Sequence, residues 1–182
     1  MDLFSLTDKV AIVTGSLGLI GRQHCYALAE AGANVVVTDM NRDACVEFAN
    51  ELNLNTGATT LAVPANITDR SSLVELRNSV IDFFGYVDIL VNNAAINDKF
   101  ESPESAAEQS KFESYPLELW QRSFDVNVTG MFLCSQVLGS VMAERGTGSI
   151  INVASTYGLV APDQSLYLRP DGTQPFFKSP SY

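Results

Sequence analysis

Histidine occurs once in the 182 residues, at His24, tryptophan once and cysteine three times, at Cys25, Cys45 and Cys134. The cysteines are far apart, with no CxxC pair and no histidine cluster beside them, so neither a disulfide framework nor a zinc site is supported. They are expected to be reduced packing residues, and no metal is expected. Basic charge is also scarce: 11 Lys and Arg stand against 21 Asp and Glu, a net charge of −10. Such a surface repels phosphates, which argues against nucleic acid as a partner. Long hydrophobic runs are missing as well. The apolar stretches, such as "KVAIVTG", are far too short to span a bilayer, so no membrane partner is expected. The start, "MDLFSLTDKV", lacks a basic stretch followed by an apolar one, and a cytoplasmic location is expected.

What is present is alternation. "KVAIVT" (9–14), "NVVVTD" (34–39), "ATTLAVP" (58–64), "VDILVNN" (87–93) and "GSIINVAS" (148–155) are short apolar, β-branched runs that read as five buried strands. Between them, 19–31, 41–53, 69–84 and 116–145 carry helical spacing, several closed by glycine at Gly32, Gly85 and Gly146. Strand and helix in turn predict right-handed crossovers and a doubly wound parallel α/β sheet, the Rossmann fold, with residues 1–182 as one domain. Two stretches break the rhythm: polar 97–115 after the fourth strand and proline-rich 161–180 after the fifth. Ligands bind beyond the carboxyl ends of such strands, so both are candidate lids. His24, beside small residues of the first helix, is expected to make a local hydrogen bond.

"TGSLGLIG" (14–21) lies between the first strand and first helix. Gly15 permits a tight turn, Gly18 lets the backbone approach a pyrophosphate, and Gly21 lets the helix pack closely. The amides at the helix start, those of Leu19 and Ile20, then face the anion. Glycines close ordinary turns too, and the loop alone is weak. Asp39 strengthens it, because a carboxylate ending the second strand can accept hydrogen bonds from the ribose hydroxyls of NAD and would repel the 2′-phosphate of NADP. Met40 follows it at the same edge. No Arg or Lys stands at 38, 40 or 41, which favours NAD over NADP, although Arg42 is near.

With "NNAA" at 92–95, these residues resemble the short-chain dehydrogenase/reductase family, single-domain branch. The likeness runs from about Lys9 to Tyr182 through the glycine loop, Asp39, "ANITD" (65–69), "NNAA", "DVNVTG" (125–130) and "INVAS" (151–155). It implies that Asn66 and Ile67 lie against the adenine and that Asn93 and Ala94 border the cofactor. It also implies that Asn127 holds a water in a proton relay and that Ser155 hydrogen-bonds the reacting oxygen. Asn66 stands where the family usually has Asp. The glycines follow TGxxGxxG rather than TGxxxGxG, a pattern more similar to the extended branch of nucleotide-sugar epimerases and dehydratases.

The family's proton transfer is attributed to YxxxK, in which an ammonium stabilises a phenolate whose ordinary pKa is near ~10. Tyr157 lies in a turn, and Tyr167 has Asp171 at the lysine position and Pro170 in the way. Tyr182 follows "KSPS" as at a helix start, and its lysine would fall at 186. The expectation is therefore a sheet cut after its fifth strand, either because the 182 residues are part of a longer protein, which is favoured, or because they are a true fragment. The resemblance implies an NAD-dependent oxidoreductase moving hydride between nicotinamide and a small alcohol or ketone, a sugar derivative being one option, in a homo-oligomer when complete. "STYGLVAPDQSLY" is also similar to dehydrogenases of bacterial surface-sugar and flagellin-glycan biosynthesis. Two alternatives stay open: a nucleotide-sugar epimerase or dehydratase, and a non-catalytic nucleotide-binding fragment.

Overall fold

A computed structural model describes residues 3–97 and 102–178. Tyr182, the expected proton-transfer residue, lies outside the described residues. The chain divides into two compact units, one running through Ala94 and resuming at Thr129–Val153, the other holding Ala95–Val128 and the segment from Ala154 onward.

The first unit is built on β1 (Val10–Thr14), β2 (Asn34–Thr38), β3 (Thr60–Ala62), β4 (Ile89–Asn92) and β5 (Ser149–Asn152), all parallel, in the order β3-β2-β1-β4-β5. This is a Rossmann sheet. β1 is central, with Ala11 opposite Val35 on one side and Ile89 on the other. Its apolar run is continuous because both faces are covered. Val10 and Ile12 point into one core with Leu73, Leu76, Val80 and Leu138, while Ala11 and Val13 point into another with Cys25, Cys45, Phe48 and Leu52. Each fully buried large side chain of this kind contributes about 1.5–3 kcal/mol relative to exposure.

The covering helices begin and end where local chemistry directs. Asn41 caps α2 (Arg42–Thr56) by accepting from the Ala44 amide at 3.1 Å, and Asp69 caps α3 (Arg70–Phe84) by accepting from the Ser71 amide at 2.9 Å. α1 (Leu19–Glu30) has no such cap, since its N-cap is Gly18. α6 (Met131–Arg145) packs on α3 and closes the sheet's other side, ending at Gly146. Asp88 is buried just before β4, where its carboxylate accepts the Val10 amide at 2.9 Å and faces Arg145 at 3.4 Å and Lys9 at 3.7 Å. It thereby joins the entries of β1 and β4 to the end of α6.

Several expectations need correction. The strands are not all buried: β3 is half-buried because it ends the sheet, and β5, at the other end with a neighbour on one side only, is exposed along its length, as a sheet cut after its fifth strand leads one to expect. The polar stretch 97–115 contains a helix, α4 (Pro103–Gln109), which opens with a reciprocal capping box between Ser102 and Ser105, and then a 3-10 turn at Phe112–Ser114. The stretch 116–145 is not a uniform helix. α5 (Leu117–Phe124) gives way to six π-helical residues, Asp125–Gly130, before α6. Leu117–Arg145 as a whole is long and apolar enough, by length and composition alone, to cross a membrane. In α6 that apolarity is used by Cys134, Val137, Leu138 and Met142, which are core residues. His24 Nε2 is buried without a hydrogen-bond partner, contrary to its expected local bond.

All three cysteines are free and buried, as their spacing suggests. Burial pushes the Cys25 and Cys134 thiols up to about 12, and Cys45 is raised for the same reason. Among the described residues no group of three or more His, Cys, Asp and Glu is placed to hold a metal.

Candidate functional site

The carboxyl ends of the strands gather the glycine turn, Asp39 and the Asn93–Ala94 pair. Gly15 has φ of +65°, and a Cβ there would stand 2.8 Å from the Ala94 Cα, so both conformation and close approach require glycine. A Cβ on Gly21 would lie 2.1 Å from the Gly15 carbonyl oxygen and 2.9 Å from Asn93 Nδ2. Its smallness thus serves the turn itself more than packing on the sheet. Gly18 is exposed, and a Cβ there would meet only the Gly15 oxygen, at 3.3 Å.

Asn93 clamps this turn. Its Nδ2 donates to the carbonyls of Thr14 at 2.9 Å and Gly15 at 3.2 Å, while its amide and that of Ala94 both donate to Thr14 Oγ1 at 3.0 Å. Asp39 grips the turn from the other side: Oδ2 accepts the Leu17 amide at 3.3 Å and Oδ1 the Met40 amide at 2.7 Å. The Asp39 carbonyl accepts the Ala65 amide at 2.9 Å, which brings the Asn66–Ile67 segment to the same edge. There Asn66 Oδ1 accepts from the Thr68 amide and hydroxyl, forming a tight turn, and Ile67 packs on the core.

This edge fits an anionic dinucleotide. α2 and α3 spend side chains on their first amides, but α1 begins at a glycine, so its leading N–H groups, next to exposed Leu19 and Ile20, have no side-chain acceptor. Those amides and the helix dipole favour a phosphate. Met40 is exposed beside Asp39 and offers an apolar surface.

Sequence reasoning missed three polar residues here. Thr14 Oγ1 accepts two amides and donates to the Val91 carbonyl. Ser16 Oγ donates to the Val13 carbonyl at 2.5 Å and accepts the Thr38 amide at 2.9 Å, tying β1 to β2. Asn92 Nδ2 donates to Ser135 Oγ and Asn152 Oδ1, leaving its own Oδ1 buried without a partner. Thr14 and Asn92 are each polar at the end of an apolar run, which is the one signal that could have found them, and Ser16 lies inside the glycine loop.

Asn127 and Ser155 belong to the other unit. Asn127, inside the π-helical segment, accepts the Ile96 amide at 2.8 Å and donates to the Ile96 carbonyl at 3.1 Å. π-helical turns recur at functional positions. Ser155 caps a 3-10 turn, Thr156–Gly158, by accepting the Tyr157 amide at 3.2 Å. The Tyr157 and Tyr167 hydroxyl oxygens are 3.4 Å apart.

A family model described as short chain dehydrogenase matches residues 9–167. The chain belongs to this family. Among short chain dehydrogenase relatives, it is 32% identical to an NAD-dependent glycerol dehydrogenase from Listeria innocua, over 88% of this chain and 58% of that protein. It is 36% identical to a D-beta-hydroxybutyrate dehydrogenase from Rhizobium meliloti, over 88% of this chain and 59% of that protein. Among solved structures, NAD+-bound xylitol dehydrogenase superposes with a TM-score of 0.77 at 29% identity, covering 86% of this chain and 56% of that one. The chain spans about three-fifths of the length of the curated relatives it matches. These matches favour a dehydrogenase or reductase over the epimerase or dehydratase alternative.

Proposed function

We propose that the protein is an NAD(H)-dependent oxidoreductase that moves hydride between nicotinamide and a small alcohol or ketone. The observation that carries this reading is Asp39. Its carboxylate ends β2, is oriented by the Leu17 and Met40 amides, and has no Arg or Lys at 38, 40 or 41. A carboxylate so held suits two ribose hydroxyls and disfavours a 2′-phosphate. The NAD named for the glycerol and xylitol dehydrogenase relatives supports the same preference.

When bound, the nicotinamide supplies or takes the hydride. The chain's own groups do the rest. Leu19 and Ile20 amides hold the pyrophosphate, Asn93 and Ala94 border the cofactor by fixing the turn, and Asn66 and Ile67 flank the adenine. Ser155 Oγ accepts one amide and keeps its hydroxyl proton for donation to the reacting oxygen. Asn127 uses one N–H and one lone pair on Ile96, so a second donor and acceptor serve a water chain. Tyr182 is assigned the proton exchange. Leu117, Trp120 and Phe124 leave an exposed apolar face on α5, which supports a homo-oligomer.

The test is Asp39→Ala, followed by fluorescence titration with NADH and NADPH. Loss of charge-assisted hydrogen bonds worth about 1.5–3 kcal/mol weakens NADH about tenfold to a hundredfold and narrows its advantage over NADPH. An unchanged cofactor preference refutes the ribose assignment. Turnover over a panel of alcohols then separates an enzyme from a protein that only binds the nucleotide.

A further inference from the structure

Ser16 lies inside the glycine turn at 0% exposure, so its side chain cannot touch a bound nucleotide. A hydroxyl withdrawn from water has to spend its donor and its acceptors on the protein. Ser16 spends them on the two strands beside it. Its Oγ donates to the Val13 carbonyl at 2.5 Å and accepts the Thr38 amide at 2.9 Å, while its own amide donates to the Thr38 carbonyl at 3.1 Å. The register of β1 with β2 ends at the Thr14 and Thr38 pair, yet Ser16, beyond the end of β1, still holds both backbone polar groups of Thr38.

The next residue along each chain belongs to the nucleotide edge. The Leu17 amide donates to Asp39 Oδ2 at 3.3 Å, and the Met40 amide to Asp39 Oδ1 at 2.7 Å. The Leu17 bond is at the long end of the hydrogen-bond range, so a shift of about 0.3 Å between the turn and β2 breaks it. The adjoining link between turn and strand, one residue back on each side, is the Ser16 and Thr38 clamp. An ionised carboxylate offers about four acceptor positions. The two amides take one on each oxygen and leave one on each oxygen, which matches two neighbouring hydroxyls only while the Leu17 amide keeps the carboxylate plane in place.

We infer that Ser16 is a positioning residue for nucleotide selection: it sets the gap between the glycine turn and Asp39, and with it the orientation in which that carboxylate meets a ribose. For its effect on the nucleotide the inference rests on the reading of Asp39 as the ribose ligand. The orientation of the carboxylate itself does not depend on that reading.

A double-mutant cycle of Ser16→Ala and Asp39→Ala, read by fluorescence titration of the full chain with NADH and NADPH, tests the coupling. Ser16→Ala should weaken NADH about fivefold or more and narrow its advantage over NADPH, but change either affinity less than about twofold in the Asp39→Ala background, where the group it acts through is gone. Asp88→Asn, which loosens the opposite ends of β1 and β4, should leave both affinities within about twofold of wild type, so a general loss of stability does not imitate the effect. Hydrogen exchange of the nucleotide-free protein gives a second readout. The Leu17 amide should exchange at least about tenfold more slowly than that of exposed Leu19, at the uncapped start of α1, and Ser16→Ala should remove the difference. Where Asp39→Ala weakens NADH, an unchanged NADH advantage in Ser16→Ala, or an equal effect of Ser16→Ala with and without Asp39, overturns the inference. So does wild-type exchange at Leu17 as fast as at Leu19, with no variant needed. If Asp39→Ala leaves NADH binding unchanged, the ribose reading fails instead, and the exchange rates alone decide whether Ser16 orients Asp39.

Discussion

Replacing Gly21 with alanine sets two physical effects against each other. Gly21 sits in the first turn of α1, and inside a helix Gly is worse than Ala by about 0.8–1 kcal/mol, so propensity alone predicts a gain. The tertiary contact predicts the opposite. The new Cβ would lie 2.1 Å from the Gly15 carbonyl oxygen and 3.0 Å from its carbon. Non-bonded heavy atoms prefer about 3.5–4.0 Å, so more than ~1 Å of overlap must be relieved by moving backbone. Overpacking of this kind costs about 1–3 kcal/mol. The displaced Gly15 oxygen also strains its bonds from Gly18 N at 3.1 Å and Asn93 Nδ2 at 3.2 Å, about 1 kcal/mol each. The net loss is about 2–4 kcal/mol. With a urea m-value of about 2 kcal/mol/M, the unfolding midpoint followed by circular dichroism falls by about 1–2 M. Gly139→Ala is the control, because its Cβ would meet only the movable end of Ile150, at 3.0 Å, and its midpoint stays within about 0.5 M of wild type. A Gly21→Ala midpoint at or above wild type refutes the packing argument.

Further outcomes follow from other contacts. Asn127→Ala removes both bonds to Ile96 and should cost about 2 kcal/mol, with faster hydrogen exchange at the Ile96 amide; unchanged exchange there means the clamp is not formed in solution. Asp88→Asn keeps the shape but removes the charge facing Arg145 and Lys9, and should lower stability by about 1–3 kcal/mol in chemical denaturation, whereas a neutral result makes those ion pairs incidental. With Cys25 and Cys134 thiols pushed up to about 12 by burial, thiolate is scarce at pH 8. Mass spectrometry after iodoacetamide should find these two cysteines unmodified in the folded protein and alkylated in urea. Rapid native labelling of either contradicts its burial.

Much of the fold was legible because it depends on neighbours in the chain. The apolar runs at 10–14 and 34–38 and the glycine after β1 each act within a few residues and lie where the pattern put them, and the helical stretches expected from 41 and 69 open on Asn41 and Asp69, whose role as caps the structure adds. The helix α4 was hidden by its polar composition, and the π-helical residues around Asn127 were hidden because an i to i+5 ladder has no residue signature. Candidate site residues could be named from motif spacing, but not their partners.

By itself the sequence determined the parallel α/β plan, the uncapped glycine start of α1 and an acidic residue at the end of β2, since periodicity, turn chemistry and charge are local properties. Only the tertiary structure decided that Asn93 locks a turn 79 residues earlier, that Asp39 holds the Leu17 amide, and that Ser110 and Gln164 hold the backbone amides of Phe177 and Lys178. Those bonds join residues distant in the chain, and their distances are set by how helices and strands pack, which no local pattern encodes.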